Sequence, residues 1–258
     1  MPDTKTFVAN APAWVDLSSK DADASRDYYA KLFGWKVEIA GPDAGGYALA
    51  KLGGKDVAGI GPVQDPNAPS AWNVYIGTRD AGALAKKVEA AGGKVIAPAF
   101  DVLKSGRMAV FQDPSGAFIS AWQPNEMAGF EVAGKGGAYA WAELNARGVE
   151  KANAFYQKVF GWTTKVSPMG EGQGDYTEFQ LDGQSIAGGM EMNPMVPAEV
   201  PSYWMVYFGA EDVDKAHKKA IDLGATEMLG PQDFPGGRFS ILSDPQGAAF
   251  GLLKMKQS

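Results

Sequence analysis

Two short segments carry the residue types best suited to chemistry. Trp14 and Asp16 lie two apart in Ala13-Trp14-Val15-Asp16-Leu17, and Trp141 and Glu143 lie two apart in Ala140-Trp141-Ala142-Glu143-Leu144. Residues two apart in an extended chain point to the same side. Each segment therefore presents an indole beside a carboxylate. By the same rule Asn73 shares a face with Tyr75, and Met205 shares one with Tyr207. An indole offers a broad apolar surface and one N–H donor. A carboxylate beside it can orient a donor or a cation.

Other chemistry is thin. The chain has no Cys, which removes disulfides, thiolate nucleophiles and Cys-based zinc sites. It has one His, so neither a multi-histidine metal site nor a Ser-His-Asp triad in each half can be built. His217, within Asp214-Lys215-Ala216-His217-Lys218-Lys219, reads as a solvated helix residue. Arg107 and Arg238 each follow a Gly. They could clamp a carboxylate ligand or pair with Asp113 and Asp244. Asp113-Pro114-Ser115-Gly116 and Asp244-Pro245-Gln246-Gly247 read as turns. The glycine-rich stretches at 41–46 and 170–174 lack the lysine or spacing of a phosphate loop.

The 258 residues carry 24 Lys plus Arg against 30 Asp plus Glu, a net charge of −6. No basic stripe is present, which argues against nucleic acid as a partner. No apolar run reaches the ~20 residues of a membrane helix. Residues 1–10 hold no apolar stretch of signal-peptide type. With no Cys, a cytoplasmic protein is expected.

The elements that must position these residues occur twice. Asp27-Tyr28-Tyr29-Ala30-Lys31-Leu32-Phe33-Gly34-Trp35 is echoed by Ala154-Phe155-Tyr156-Gln157-Lys158-Val159-Phe160-Gly161-Trp162. Ser70-Ala71-Trp72-Asn73-Val74-Tyr75 matches Ser202-Tyr203-Trp204-Met205-Val206-Tyr207. The offset runs from 127 (Ala13 to Ala140) to 132 (Ser70 to Ser202). This is a tandem duplication, with domains at 6–126 and 137–256 and a glycine-rich linker at 125–137. Pro-rich joints at 62–69 and 194–201 divide each copy again. In each module alternation predicts a first strand, such as 14–17. Capping by Asp21, Asp23 or Ser25 then opens a helix that Gly34 stops. Strands at 47–52 and 56–60 follow around the Gly53-Gly54 turn. The next module has a strand at 73–77, a helix at 81–91 and strands at 94–97, 108–112 and 118–123. The expected class is α+β: four β-α-β-β-β modules, each pair forming one cupped mixed sheet with helices on its outer face. Phe33, Trp35, Phe160 and Trp162 fall to the core, and Trp72 and Trp204 belong under the helices.

The aromatic-x-[DE]-L segment, the F-Y-x-x-[LV]-F-G-W helix end and the D-P-x-G-A turn, all in two copies, resemble the glyoxalase/bleomycin-resistance/dioxygenase group, the vicinal oxygen chelate superfamily. The similarity spans nearly the whole chain and is nearest to two-domain glyoxalase-like members. Metal-binding members of that family use His, Gln or Glu on the inner strands of the cup. Carried over, the first-strand positions hold Trp14 and Asn73, or Trp141 and Met205. The final-strand positions hold Gln123 and Lys254. The remaining position falls near Ile60 and Gly61, or near Gly189 and Met190, with Glu191 the only carboxylate close by. Trp offers no in-plane lone pair, Met prefers soft ions and Lys repels a cation. No metal and no cofactor are therefore expected; Asp16 and Glu143 are the alternative ligands.

The resemblance implies two cups, each with an aromatic floor, an acid, a phenol and an amide or lysine. The site residues are expected to be Trp14, Asp16, Asn73, Tyr75 and Gln123 in one, and Trp141, Glu143, Met205, Tyr207 and Lys254 in the other. This lining suits a small organic molecule, flat or polyhydroxylated and cationic ligands included. Three readings follow: a metal-independent binding protein in the manner of bleomycin-resistance relatives, a lyase or isomerase of glyoxalase type, and an interaction or structural protein whose aromatics fill the cups. The sequence leaves open whether a reaction is catalysed. Because duplicated chains complete their own cups, a monomer is expected.

Overall fold

The computed structural model describes residues 7–170, 172 and 174–256. The first copy runs β1 (Pro12–Ser19), α1 (Ala22–Phe33), β2 (Lys36–Ile39), β3 (Ala48–Leu52), β4 (Lys55–Pro62), β5 (Ala71–Gly77), α2 (Ala81–Ala90), β6 (Lys94–Val102), β7 (Gly106–Gln112) and β8 (Phe118–Pro124). The second runs β9 (Tyr139–Ala146), α3 (Val149–Phe160), β10 (Thr163–Pro168), β11 (Asp175–Leu181), β12 (Gln184–Glu191), β13 (Tyr203–Gly209), α4 (Val213–Asp222), β14 (Thr226–Phe234), β15 (Gly237–Ser243) and β16 (Ala249–Met255). Each copy forms one eight-stranded mixed sheet, ordered β2-β3-β4-β1-β5-β8-β7-β6 and β10-β11-β12-β9-β13-β16-β15-β14. The β-α-β-β-β module thus recurs four times, in an α+β fold. Parallel β1 and β4 cannot be joined by a tight turn, so α1, β2 and β3 make the crossover.

Local signals explain most of these elements. Asp21 caps α1 by accepting from the Ala24 N–H at 3.0 Å. Gly34 ends that helix in the left-handed region at φ 73°, and Gly161 ends α3 likewise at 72°. β2 escapes the sequence pattern because it is an edge strand, mostly exposed, with no clean alternation. Helix α3 departs from its partner: Gly148 precedes it without a capping side chain. Glu191 substitutes, accepting from the Gly148 and Val149 N–H groups at 2.9 Å each. That role, near the positive end of a helix, occupies the carboxylate considered as a ligand.

The helices lie between the two sheets. α1 packs on α4 and α2 on α3, and one continuous apolar core runs through both copies. Phe208 of the second copy sits 4.8 Å from Trp72 and 5.1 Å from Phe33 of the first. Trp72 and Trp204 lie beneath the helices, donating to Tyr29 and Tyr156 hydroxyls at 2.9 Å each. The Asp113 and Asp244 side chains are buried and accept backbone N–H groups of their own turns. Neither arginine reaches them. Arg107 pairs with Asp101, and Arg238 with Asp214 and Asp233. His217 is not solvated: it is 6% exposed and meets Glu227 Oε2 at 2.8 Å. Its position on the inner side of α4 follows from packing on β14 and β15, which the polar neighbours in sequence conceal.

Candidate functional site

Each sheet has one face against the helices and one without them. Strand register decides which residues share the helix-free face. In the first copy Trp14 pairs with Tyr75, Asp16 with Asn73 and Gly59, and Tyr75 with Ser120. In the second copy Trp141 pairs with Tyr207, Glu143 with Met205 and Gly188, and Tyr207 with Gly251. Eight of the ten expected residues therefore come together in two matching groups.

Gln123 and Lys254 do not join them. The register puts Trp122 and Leu253 on the helix-free face, leaving Gln123 and Lys254 one residue out of phase on the helix side. Gln123 Oε1 accepts from the Ala81 N–H at 2.9 Å and so closes the start of α2. Lys254 is exposed near Asp212. Both residues therefore lie on the side of the sheet opposite the expected one, by the same one-residue phase, because side chains alternate with a period of two.

The first group is a closed hydrogen-bond chain. Trp14 Nε1 donates to Tyr47 Oη at 3.0 Å, and Tyr47 donates to Asp16 Oδ2 at 3.2 Å. Tyr75 Oη donates to the same oxygen at 2.9 Å, and Asn73 Nδ2 to Oδ1 at 2.9 Å. Trp14 is 3% exposed and Asp16 7%. The linker contributes Phe130, whose ring centroid lies 5.6 Å from that of Trp14. The Phe130 N–H donates to the Ala13 carbonyl at 2.9 Å, which fixes it there. Trp14 is thus a packed indole rather than an open stacking platform.

The second group repeats the chain with changes. Trp141 Nε1 donates to Tyr176 Oη at 2.9 Å, and Tyr207 Oη to Glu143 Oε1 at 3.0 Å. Tyr176 also bonds Glu143. Met205 stands where Asn73 stood and brings no donor. Its place is taken by Asn145 Nδ2, at 3.5 Å from Glu143 Oε1, the outer limit of a hydrogen bond. Trp141 and Glu143 are half-buried here, unlike their counterparts. Trp141, Tyr203 and Phe239 pack on buried Met205 and Tyr207.

Burial raises the pKa of both carboxyls above the ordinary range. The hydrogen bonds from Asn73, Tyr75 and Tyr47, or from Tyr176, Tyr207 and Asn145, oppose that rise. Burial likewise pushes the Tyr47, Tyr75, Tyr176 and Tyr207 phenols upward, with the neighbouring carboxylates adding to it. These phenols remain donors at neutral pH.

Tyr47 and Tyr176 were not anticipated from sequence. Each reaches its carboxylate because a glycine lies on the neighbouring strand. A Cβ at Gly59 would meet Tyr47 Oη at 1.8 Å, and one at Gly188 would meet Tyr176 Oη at 1.9 Å. The signal was present: Tyr47 and Tyr176 are separated by the same 129 residues as Gly59 and Gly188.

The donor set does not fit a divalent cation. Trp122 and Leu253 occupy the final-strand positions facing the open side, and both Asp16 oxygens and Glu143 Oε1 already receive O–H or N–H donors. Among the described residues, no group of three or more His, Cys, Asp or Glu converges.

The family profile of the Glyoxalase/Bleomycin resistance protein/Dioxygenase superfamily matches residues 11–120 and 138–252. The chain is 38% identical to CFP32 of Mycobacterium tuberculosis, which bears a provisional glyoxylase name, over 98% of each chain. It is also 38% identical to the anthracycline biosynthesis protein DnrV of Streptomyces peucetius, over 97% of this chain and 95% of that one. Among solved structures it superposes on the Mn(II)-bound glyoxalase of Novosphingobium aromaticivorans with a TM-score of 0.65 at 20% identity, covering 95% of this chain and 82% of that one. The 2,3-dioxygenase LapB of Pseudomonas sp. KL28 gives 0.67 at 15% identity, with 96% and 93% covered. At those identities the likeness is one of fold.

Proposed function

This chain belongs to the glyoxalase/bleomycin resistance protein/dioxygenase superfamily, and from that premise we propose that it binds a small organic ligand on the helix-free face of its second sheet without using a metal. The observation that carries this reading is the contrast between the two groups. Trp14 and Asp16 are covered, whereas Trp141 and Glu143 remain half-buried beside Tyr203 and Phe239. Packed aromatics around one accessible polar group are the usual make-up of a ligand site. The first group then serves as an internal brace, the filled state that large aromatics adopt when their polar ends are satisfied within the protein.

The relatives narrow the ligands to try. Two of them are named for anthracycline biosynthesis, so flat polycyclic aromatic compounds come first. A glyoxalase-type lyase or isomerase is less well supported, because the strand positions where metal-binding members carry His, Gln or Glu face the open side here with Trp14, Asn73 and Trp122, or with Trp141, Met205 and Leu253.

The test is a screen of flat aromatic compounds by tryptophan fluorescence and thermal shift, on the parent and on Trp141→Phe and Phe130→Ala. Binding is expected at affinities of roughly micromolar to millimolar. Hits should weaken in Trp141→Phe. Hits unaffected there, but lost in Phe130→Ala, would move the site to the first copy and overturn the assignment.

A further inference from the structure

The second carboxylate is under-satisfied where the first is not. Asp16 receives three side-chain donors within 3.2 Å, from Asn73, Tyr75 and Tyr47. At the matching place the exchange of Asn73 for Met205 removes the amide that bonded Asp16 Oδ1. Glu143 keeps the phenols, and its nearest amide stands at 3.5 Å. The glutamate is also one methylene longer, so its carboxyl group extends further from β9 than that of Asp16 from β1. It lies among Trp141, Tyr176, Tyr203 and Tyr207.

No Lys, Arg or His among the described residues pairs with Glu143. The ion pairs on this sheet, such as Lys165 with Glu178, lie elsewhere. A carboxylate with spare acceptor capacity, no basic neighbour and a ring of aromatic side chains has a definite complement. It is an organic cation that carries an N–H donor: the donor meets the free carboxylate lone pairs, and the charge is favoured by the rings. An uncharged ligand of equal shape loses the charge–ring attraction and keeps at most a neutral hydrogen bond to the carboxylate.

We propose that Glu143 makes the second site selective for an aromatic ammonium ligand, one per chain. This rests on the second-sheet site proposed above and adds its charge preference.

The experiment is isothermal titration at neutral pH with 1-naphthylmethylammonium and its uncharged counterpart 1-naphthalenemethanol. The expected result is saturation at one cation per chain, with the alcohol weaker by roughly tenfold or more. Glu143→Gln should bring the cation down to the affinity of the alcohol, while Glu143→Asp, which keeps the charge, should retain a preference. If the alcohol binds the parent as tightly as the cation, the charge preference is wrong and the site proposal stands. Two cations per chain, or a preference lost in Asp16→Asn and kept in Glu143→Gln, would overturn the assignment to Glu143. If neither probe binds up to about 10 mM, the inference is overturned, and the broader aromatic screen then decides the site itself. The comparison of the two probes on the parent needs no variant to fold.

Discussion

The Tyr29 hydroxyl of the first copy donates to Asp244 Oδ2 of the second at 3.0 Å, and its counterpart Tyr156 returns the bond to Asp113 Oδ2 at 2.8 Å. Each tyrosine also accepts a tryptophan N–H from the strand beneath its helix. The two D-P-x-G turns are therefore tied, reciprocally, to the opposite copy. This explains why the repeated turn aspartates are buried and unavailable to the arginines.

Tyr156→Phe should destabilise the protein by about 1–3 kcal/mol, because Asp113 Oδ2 and the Trp204 N–H both lose a partner in a buried setting. Tyr29→Phe should cost a similar amount. Urea unfolding followed by tryptophan fluorescence measures both. A double variant no worse than either single one would show that the two ties act as one unit.

Gly188→Ala should displace the Tyr176 hydroxyl from Trp141 and Glu143, since the new Cβ would lie 1.9 Å from that oxygen. Overpacking of this kind costs about 1–3 kcal/mol. Ligand affinity should fall with it. Tyr176→Phe in the same background should recover little stability, because the ring remains beside the new methyl; full recovery would locate the strain at the hydroxyl alone.

Asp16 contributes to a pH dependence of defined sign. Burial raises its folded pKa above the ordinary aspartate value, so between the unfolded and the folded value the folded state holds a proton that the unfolded chain has released. The contribution is full below the unfolded value and is lost as pH rises through the folded one. Relative to Asp16→Asn, the parent should lose stability between acid and neutral pH. Parallel urea midpoints across that range that do not diverge would mean that the hydrogen bonds from Asn73, Tyr75 and Tyr47 cancel the cost of burial.

Exhaustively dialysed protein should carry no stoichiometric zinc, nickel, manganese or iron by elemental analysis. The ground is the set of inward residues: Trp14, Asn73 and Trp122 in one copy, Trp141, Met205 and Leu253 in the other. One metal per copy would require Asp16 and Glu143 to shed their phenol donors.

The duplication, the helix ends and the first strands were legible in the sequence, because they depend on local spacing. A strand alternates every two residues, a helix stops at Gly34 or Gly161, and Trp14 must share a face with Asp16 whatever surrounds them. That rule alone placed Trp14 with Asp16 and Asn73 with Tyr75, and the β1–β5 register set the two pairs on one face. What lay beyond it was decided by register and by packing between distant segments. A one-residue phase at the end of β8 and β16 sends Gln123 and Lys254 to the helix side. Tyr47 reaches Asp16 only because Gly59 stands on the adjacent strand, and Phe130 covers Trp14 only because the linker folds back along β1. Two groups almost identical in sequence thus differ in exposure, for local composition sets which side chains can meet and tertiary contact sets how much of each is left for a ligand.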